Sequence, residues 1–376
     1  MKKGWQIKNF DEVLEIRNGK NQCEVESASG EFPIYGSAGS VMGMATSYIC
    51  EAGTTIIGRK GNINSPIYAG TRFWNVDTAF GLAAKPSLDS KFLYYFCLSH
   101  DFSVYNRGTT IPSLVKSELL QIPIPIPSLP EQKRIVAVLD KAFDSIAKAR
   151  ENAEKNLYNA RELFSSHLQN VFAQIAEQWG QKKIPEIAQH SLGKMLDRAK
   201  NIGKPQPYLR NFNVRWFSFD LSDINRMPFR AEEKEKYTAV KGDVLICEGG
   251  YPGRAAVWDK DSPIYFQKAL HRVRFSQPEY GKWFVYYLKV QDTSGQLKQY
   301  FSGTGIQHFT GEALSKFTMP LPPLPELRKM LKLFDRLADK TQRLEAIYQQ
   351  KISDLEELEK SILQKAFSGE LAGVNS

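Results

Sequence analysis

Two stretches of this chain carry apolar or small residues at alternating spacings of three and four, the period of an amphipathic helix, and neither is interrupted by proline or glycine. The first covers residues 131–178, with Ile135, Leu139, Ala142, Ile146, Ala149, Ala153, Leu157, Ala160, Phe164, Leu168, Val171 and Ile175 on one stripe. The second runs from about Glu326 to Phe367, with Met330, Phe334, Leu337, Thr341, Leu344, Tyr348, Ile352, Leu355, Leu358 and Ile362. Ser128-Leu-Pro-Glu131 has the spacing of a capping box, and Gly180 stands just past the far end of the first stretch. At about 1.5 Å per residue each helix would be roughly 60–70 Å long, too long for one small module to cover. Pairing is therefore expected, with the alanine-rich stripe of one receiving the large residues of the other.

Elsewhere the pattern changes to short β-rich runs broken by Gly, Pro, Asn and Asp. Thr54–Ile57 precedes Gly58-Arg-Lys-Gly61, and Asp243–Cys247 precedes Glu248-Gly-Gly-Tyr-Pro-Gly253. The runs also repeat. Tyr105-Asn-Arg-Gly-Thr-Thr-Ile111 returns as Tyr300-Phe-Ser-Gly-Thr-Gly-Ile306, and Pro125-Ile-Pro-Ser-Leu-Pro-Glu131 as Pro320-Leu-Pro-Pro-Leu-Pro-Glu326, both 195 residues later. Pro86, Phe92 and Tyr94-Tyr95 match Pro278, Phe284 and Tyr286-Tyr287 at an offset of 192. The reading is an α+β, pseudo-twofold chain: β-rich modules at 1–124 and 181–319, joined by antiparallel coiled-coil helices at 125–180 and 320–376.

Charge sharpens this picture. Residues 1–130 hold 12 Lys and Arg against 11 Asp and Glu, and both helical segments balance at zero, whereas residues 181–323 hold 22 against 14. Basic modules and neutral helices suit a polyanion on the former and protein contacts on the latter, and a molecule with a pseudo-dyad suits duplex DNA. No window approaches 18 consecutive apolar residues and the start lacks the apolar stretch of a signal peptide, so a soluble cytoplasmic protein without membrane contact is expected. The four cysteines are scattered and make neither a disulfide framework nor a zinc site; buried thiols are expected.

Loops carry the candidate DNA contacts, because glycine admits close backbone approach while Arg, Lys, Asn and Gln can read base edges or phosphates. In the first module these are Arg59, Lys60, Asn62 and Asn64, then Arg107 and Thr109. In the second they are Tyr251, Arg254, Gln267, Lys268, His271, Arg272 and Thr304. Catalytic signatures are missing: there is no phosphate-binding loop, no H-E-x-x-H and no [DN]-P-P-[YF]. Phe301-Ser-Gly-Thr-Gly305 has the outline of a methyl-donor site, yet its repeat Asn106-Arg-Gly-Thr-Thr110 shares only Gly-Thr, as a common structural turn would. Two rivals stay open: a DNA methyltransferase or nuclease with an unrecognised active site, and a coiled-coil scaffold that does not bind DNA.

The chain resembles the specificity subunit (HsdS) of type I restriction-modification systems along essentially its whole length. Pro125-Ile-Pro-Ser-Leu-Pro-Glu-Gln-Lys-Arg-Ile135 running into a long helix carries the likeness, with its second copy Pro320–Met330, in which Leu327 replaces the usual Gln. Pro33-Ile-Tyr-Gly-Ser37, Ile57-Gly-Arg-Lys-Gly61, Phe73-Trp-Asn-Val-Asp-Thr78 and Ala366-Phe-Ser-Gly-Glu-Leu371 add to it. The resemblance implies a target recognition domain in each module, a bipartite DNA site, and helices that dock two methyltransferase subunits, with translocase-nuclease subunits able to join. Glu131, Ile135, Leu139, Ile146, Glu326, Phe334, Leu344 and Leu355 are the docking positions it suggests. It implies no cofactor in this chain; S-adenosylmethionine, ATP and magnesium would belong to the partners.

Overall fold

A computed structural model describes residues 4–37, 39–197 and 201–373 of the protein. The chain forms two compact units, one of Met1–Lys155 with Tyr348–Ser376 and the other of Asn156–Ile347. Helices span Leu129–Gln178 and Leu324–Ser368, close to the predicted bounds, and both run through the point where the units divide. The fold is α+β, with β-rich regions and these two long helices.

In the first unit, Gln6–Asn9 pairs antiparallel with Pro123–Ile126, clipping the start of the module to its end. Between them lies an antiparallel sheet of order Leu14–Asn18, Ala79–Ala84, Thr54–Gly58, Ile67–Ala69, and a smaller one of order Val41–Ala45, Phe32–Tyr35, Trp74–Asn75. The helix Ser90–Ser99 follows, its first amides held by the Asp89 side chain. Its apolar face, with Phe92, Leu93 and Phe96, shares one core with Ile135 and Leu139 of the first long helix and with Leu363 and Ala366 of the second. Here the helix segments run antiparallel: Arg134 donates to the Leu371 carbonyl, and Arg150 lies against Glu356 and Glu359.

The second unit repeats the plan. Gln181–Lys183 pairs with Thr318–Pro320, and an antiparallel sheet runs Ala188–Leu192, Leu270–Phe275, Val244–Cys247, Ala255–Val257. A second sheet runs Asn225–Phe229, Lys204–Leu209, Ile264–Phe266, Thr238–Ala239. Its Lys204–Leu209/Ile264–Phe266 contact is parallel, as is the Phe32–Tyr35/Trp74–Asn75 contact of the first unit. Helix Pro278–Thr293 then packs Trp283 and Tyr286 against Phe334, with Phe172 from the other long helix in the same cluster. Arg161 pairs with Glu345 at 3.0 Å while Phe172, further along the first helix, meets Phe334, earlier on the second, so these helix segments are antiparallel too.

One clamp recurs and fixes the alignment of the two copies. Lys91 and Tyr95 both donate to Asp140, at 2.8 and 2.7 Å, as Lys282 and Tyr286 do to Asp335, at 2.8 and 2.9 Å. Tyr95 therefore matches Tyr286 and not Tyr287, one residue away from the sequence alignment. The helical stripe needs a similar correction: Thr341 is buried, whereas Leu344 and Leu358 are 40% and 45% exposed. Cys50, Cys97 and Cys247 are buried free thiols as expected, but Cys23 is exposed.

Candidate nucleic-acid interface

Each module builds a paired loop. In the first, the turn after strand Thr54–Gly58 is tight enough that a β-carbon on Gly58 would stand 1.9 Å from the Asn62 carbonyl oxygen, and Gly61 takes the left-handed φ of 85°. This turn is stitched to Asn106–Leu114 by Gly61 N–H to Pro112 O (2.9 Å) and Leu114 N–H to Arg59 O (2.8 Å). In the second module, the turn after Val244–Cys247 is stitched to Phe301–Phe309 by Phe309 N–H to Glu248 O at 2.7 Å.

The Gly-Thr repeat sits inside these pairs and its role is steric. A β-carbon at Gly108 would be 1.8 Å from the Ile111 carbonyl oxygen, and one at Gly303 would be 2.3 Å from that of Ile306. Arg107 N–H donates to Ser113 O just as Ser302 N–H donates to His308 O. Phe301 packs its ring on Phe309, 6.0 Å between centroids. Gly303 is thus needed to close a turn.

The candidate side chains fall into three groups. Lys60, Asn62, Thr109, Lys268 and Thr304 are exposed on or beside the paired loops, and Gln267 is half-buried near them. Arg59 is half-buried with its guanidinium 5.7 Å from the Phe80 ring, and Tyr251, 44% exposed, supports Arg254 at 5.1 Å. Others are committed within the fold. Asn64 bridges Asp101 and the Phe102 amide, both at 2.7 Å, and Arg107 is held in a fork by Glu118. Arg254 donates to the Asn211 carbonyl, while Arg272 donates to the carbonyls of Glu235 and Thr238 and so ties two sheets together.

His271 requires correction as a DNA contact. It is 3% exposed, its ring 6.4 Å from that of His190, and burial pushes its pKa down to about 4. A neutral side chain enclosed in this way cannot reach a base. Three residues missed in the sequence stand near the surface instead: Asn211, Glu248 and His308, which with Gln267 and Lys268 line a cleft of about 440 Å³. Burial raises the pKa of the Glu248 carboxyl, with His308 and Lys268 opposing the rise. Glu248 lies outside the Arg, Lys, Asn and Gln types that mark the loop candidates in the sequence, although an acidic side chain can also accept a bond from a base.

The suggested docking positions also divide. Ile135, Leu139 and Phe334 are fully buried and Ile146 is 4% exposed, so these four belong to the interiors of their own units and offer nothing to a separate subunit. Glu131 and Glu326 meet Arg134 and Lys329 within the first turn of their helices. Leu355 is half-buried, and Leu344 is open. Gln132, fully buried, bonds the Asp89 amide and the Ser87 and Pro127 carbonyls; Leu327, in its place in the second copy, joins the apolar core. That departure is an internal exchange of packing.

A family model described as the type I restriction modification DNA specificity domain matches residues 2–156 and again residues 176–354. The type I restriction enzyme MjaVIII specificity subunit of Methanocaldococcus jannaschii is 22% identical over 402 residues, covering 98% of this chain and 93% of that protein. A solved structure from work on the assembly of a type I R-M system superposes with a TM-score of 0.77 at 19% identity, over 97% of this chain and 98% of that one. The HsdS subunit of Thermoanaerobacter tengcongensis gives 0.58 at 20% identity, over 98% of both chains.

Proposed function

Given that the chain belongs to the type I restriction-modification DNA specificity family, we propose that it reads a bipartite DNA site, one half with each module, while its long helices carry two methyltransferase subunits. The observation that carries this reading is the pair of equivalent loop sets, held by matching backbone bonds yet dressed with unlike side chains. Similar scaffolds with different loop residues are what two readers of two short sequences need. The excess of cations in residues 181–323 supplies sequence-independent attraction to phosphates, with the salt dependence of counterion release. Loop side chains such as Arg59 supply discrimination at base edges. Tyr158, Leu163, Leu333, Leu344 and Ile347 are large apolar side chains left exposed on the long helices, and they are the surface offered to the methyltransferases.

On this reading the chain has no chemistry of its own. S-adenosylmethionine, ATP and magnesium belong to the partner subunits, translocase-nuclease subunits can join the assembly, and the whole acts in the cytoplasm. Among the described residues no helix is long and apolar enough to cross a membrane.

The test is an exchange of residues 1–124 for the matching module of a relative, in the full chain assembled with its methyltransferase subunits. Mapping of methylated sites should show one half of the motif replaced and the other unchanged. If both halves change, the modules do not read separately. The isolated chain, incubated with labelled S-adenosylmethionine and mixed DNA, should transfer nothing; methylation by a homogeneous preparation would sink the non-catalytic assignment.

A further inference from the structure

Arg59 and Glu248 occupy the same place in the two modules. Each immediately follows a central strand, in which Ile57 pairs with Phe80 and Ile246 with His271. Arg59 N–H donates to Thr78 O at 2.7 Å and Glu248 N–H to Ala269 O at 2.9 Å, the acceptors lying two residues before Phe80 and His271. Their carbonyls in turn accept from Leu114 and Phe309, which are 195 residues apart in the sequence repeat. Position is shared while chemistry is opposite: a guanidinium is all donor, a carboxylate all acceptor.

A carboxylate on a surface that meets DNA is repelled by the phosphates, and what it can gain from the bases is a hydrogen bond from a donor. In the major groove the donors are the exocyclic amino groups, N4 of cytosine and N6 of adenine. Glu248 has the setting for such a bond. It is half-buried at the edge of the cleft it shares with Asn211, Gln267, Lys268 and His308, and the cleft is large enough for a base edge. Among the described residues no side chain bonds its carboxylate, although His308 and Lys268 lie close enough to favour its charge. Its acceptor capacity is thus unspent, and the half-burial makes leaving it so costly when DNA excludes the remaining water.

We propose that Glu248 is a specificity-determining residue that accepts a hydrogen bond from the exocyclic amino group of one cytosine or adenine in the half-site of the second module. This rests on the DNA-reading function proposed above. Arg59 then reads acceptors in one half-site from the position at which Glu248 reads a donor in the other.

The experiment uses the full chain assembled with its methyltransferase subunits and a DNA pool with randomised sites. The unmodified complex should select a two-part site, and Glu248→Gln, whose amide can also donate, should relax or change the preference at one position in one half only. Replacing the base at that position by an analogue without the amino group, 2-pyrimidinone for cytosine or purine for adenine, distinguishes the two donors. Loss of the amino group should weaken the unmodified complex by about ten- to a hundred-fold and the Glu248→Gln complex far less. An unchanged selection by Glu248→Gln, or an equal loss on all sequences, overturns the assignment. So does an unmodified complex indifferent to every amino group in that half, an outcome that needs no variant to fold. An unmodified complex that selects no two-part site would instead overturn the DNA-reading proposal itself.

Discussion

His271 stands in the second module where Phe80 stands in the first, each opposite the next-to-last residue of the matching strand, Ile246 and Ile57. A titratable ring has taken a core position. Burial lowers its pKa to about 4, the nearby His190 charge adds to this, and burial lowers His190 as well. The unfolded imidazole binds its proton near pH 6.5, so between that pH and 4 the unfolded state holds more protons than the folded one. The contribution of His271 to the stability of the second unit is therefore complete above about pH 6.5 and falls as the pH drops to about 4, by on the order of 3 kcal/mol. His271→Phe should remove most of that fall, read by urea unfolding at pH 7 and pH 4.5; an undiminished pH dependence would assign it to other groups. The burial of His271 was legible, because His271, Val273 and Phe275 alternate onto one face of the strand and two of them are plainly core residues. Its polar type, next to a basic loop, obscured the period.

Among the elements, the long helices were the most legible, because nothing in either stripe breaks the helical period and the turn residues lie just outside. What the stripe left open was its centre line. A straight helix drifts against a strict seven-residue repeat, so over many turns both flanks of a broad stripe satisfy three-and-four spacing. The packing resolves this by burying Phe334 among Trp283, Tyr286 and Phe172 while leaving Leu344 at the edge. Phe334→Ala should accordingly cost the second unit about 3–5 kcal/mol, through lost burial and the cavity left behind. Leu344→Glu should cost its stability no more than about 0.5 kcal/mol. Chemical denaturation of both variants checks the contrast, and pull-down of the methyltransferase subunits should show Leu344→Glu weakened in capture while still folded. Equal destabilisation by the two would put Leu344 back in the seam.

For the whole molecule, linear segments and compact units do not coincide. A continuous helix looks alike along its length in sequence, so nothing in the stripe announces that Leu129–Gln178 and Leu324–Ser368 each contribute to both units. The second unit is one unbroken stretch, Asn156–Ile347, and should fold cooperatively when expressed alone. Removing Tyr348–Ser376 should spare it but strip Leu363, Ala366 and Phe367 from the core around Phe92 and Phe96. At about 1.5–3 kcal/mol for each large apolar side chain, the loss would amount to much of a domain's margin. Hydrogen exchange should then rise across Ser90–Ser99 and not across Pro278–Thr293; protection retained in both helices would show that the tail is dispensable. The discontinuity also reverses the order of birth and completion on the ribosome. The first unit emerges first and must wait for its closing segment while Asn156–Ile347 is made, roughly 10–40 s at about 5–20 residues per second. During that wait the aromatic face around Phe92 and Phe96 has no cover from Leu363, Ala366 and Phe367, and a chain released early should keep it open to chaperones and proteases.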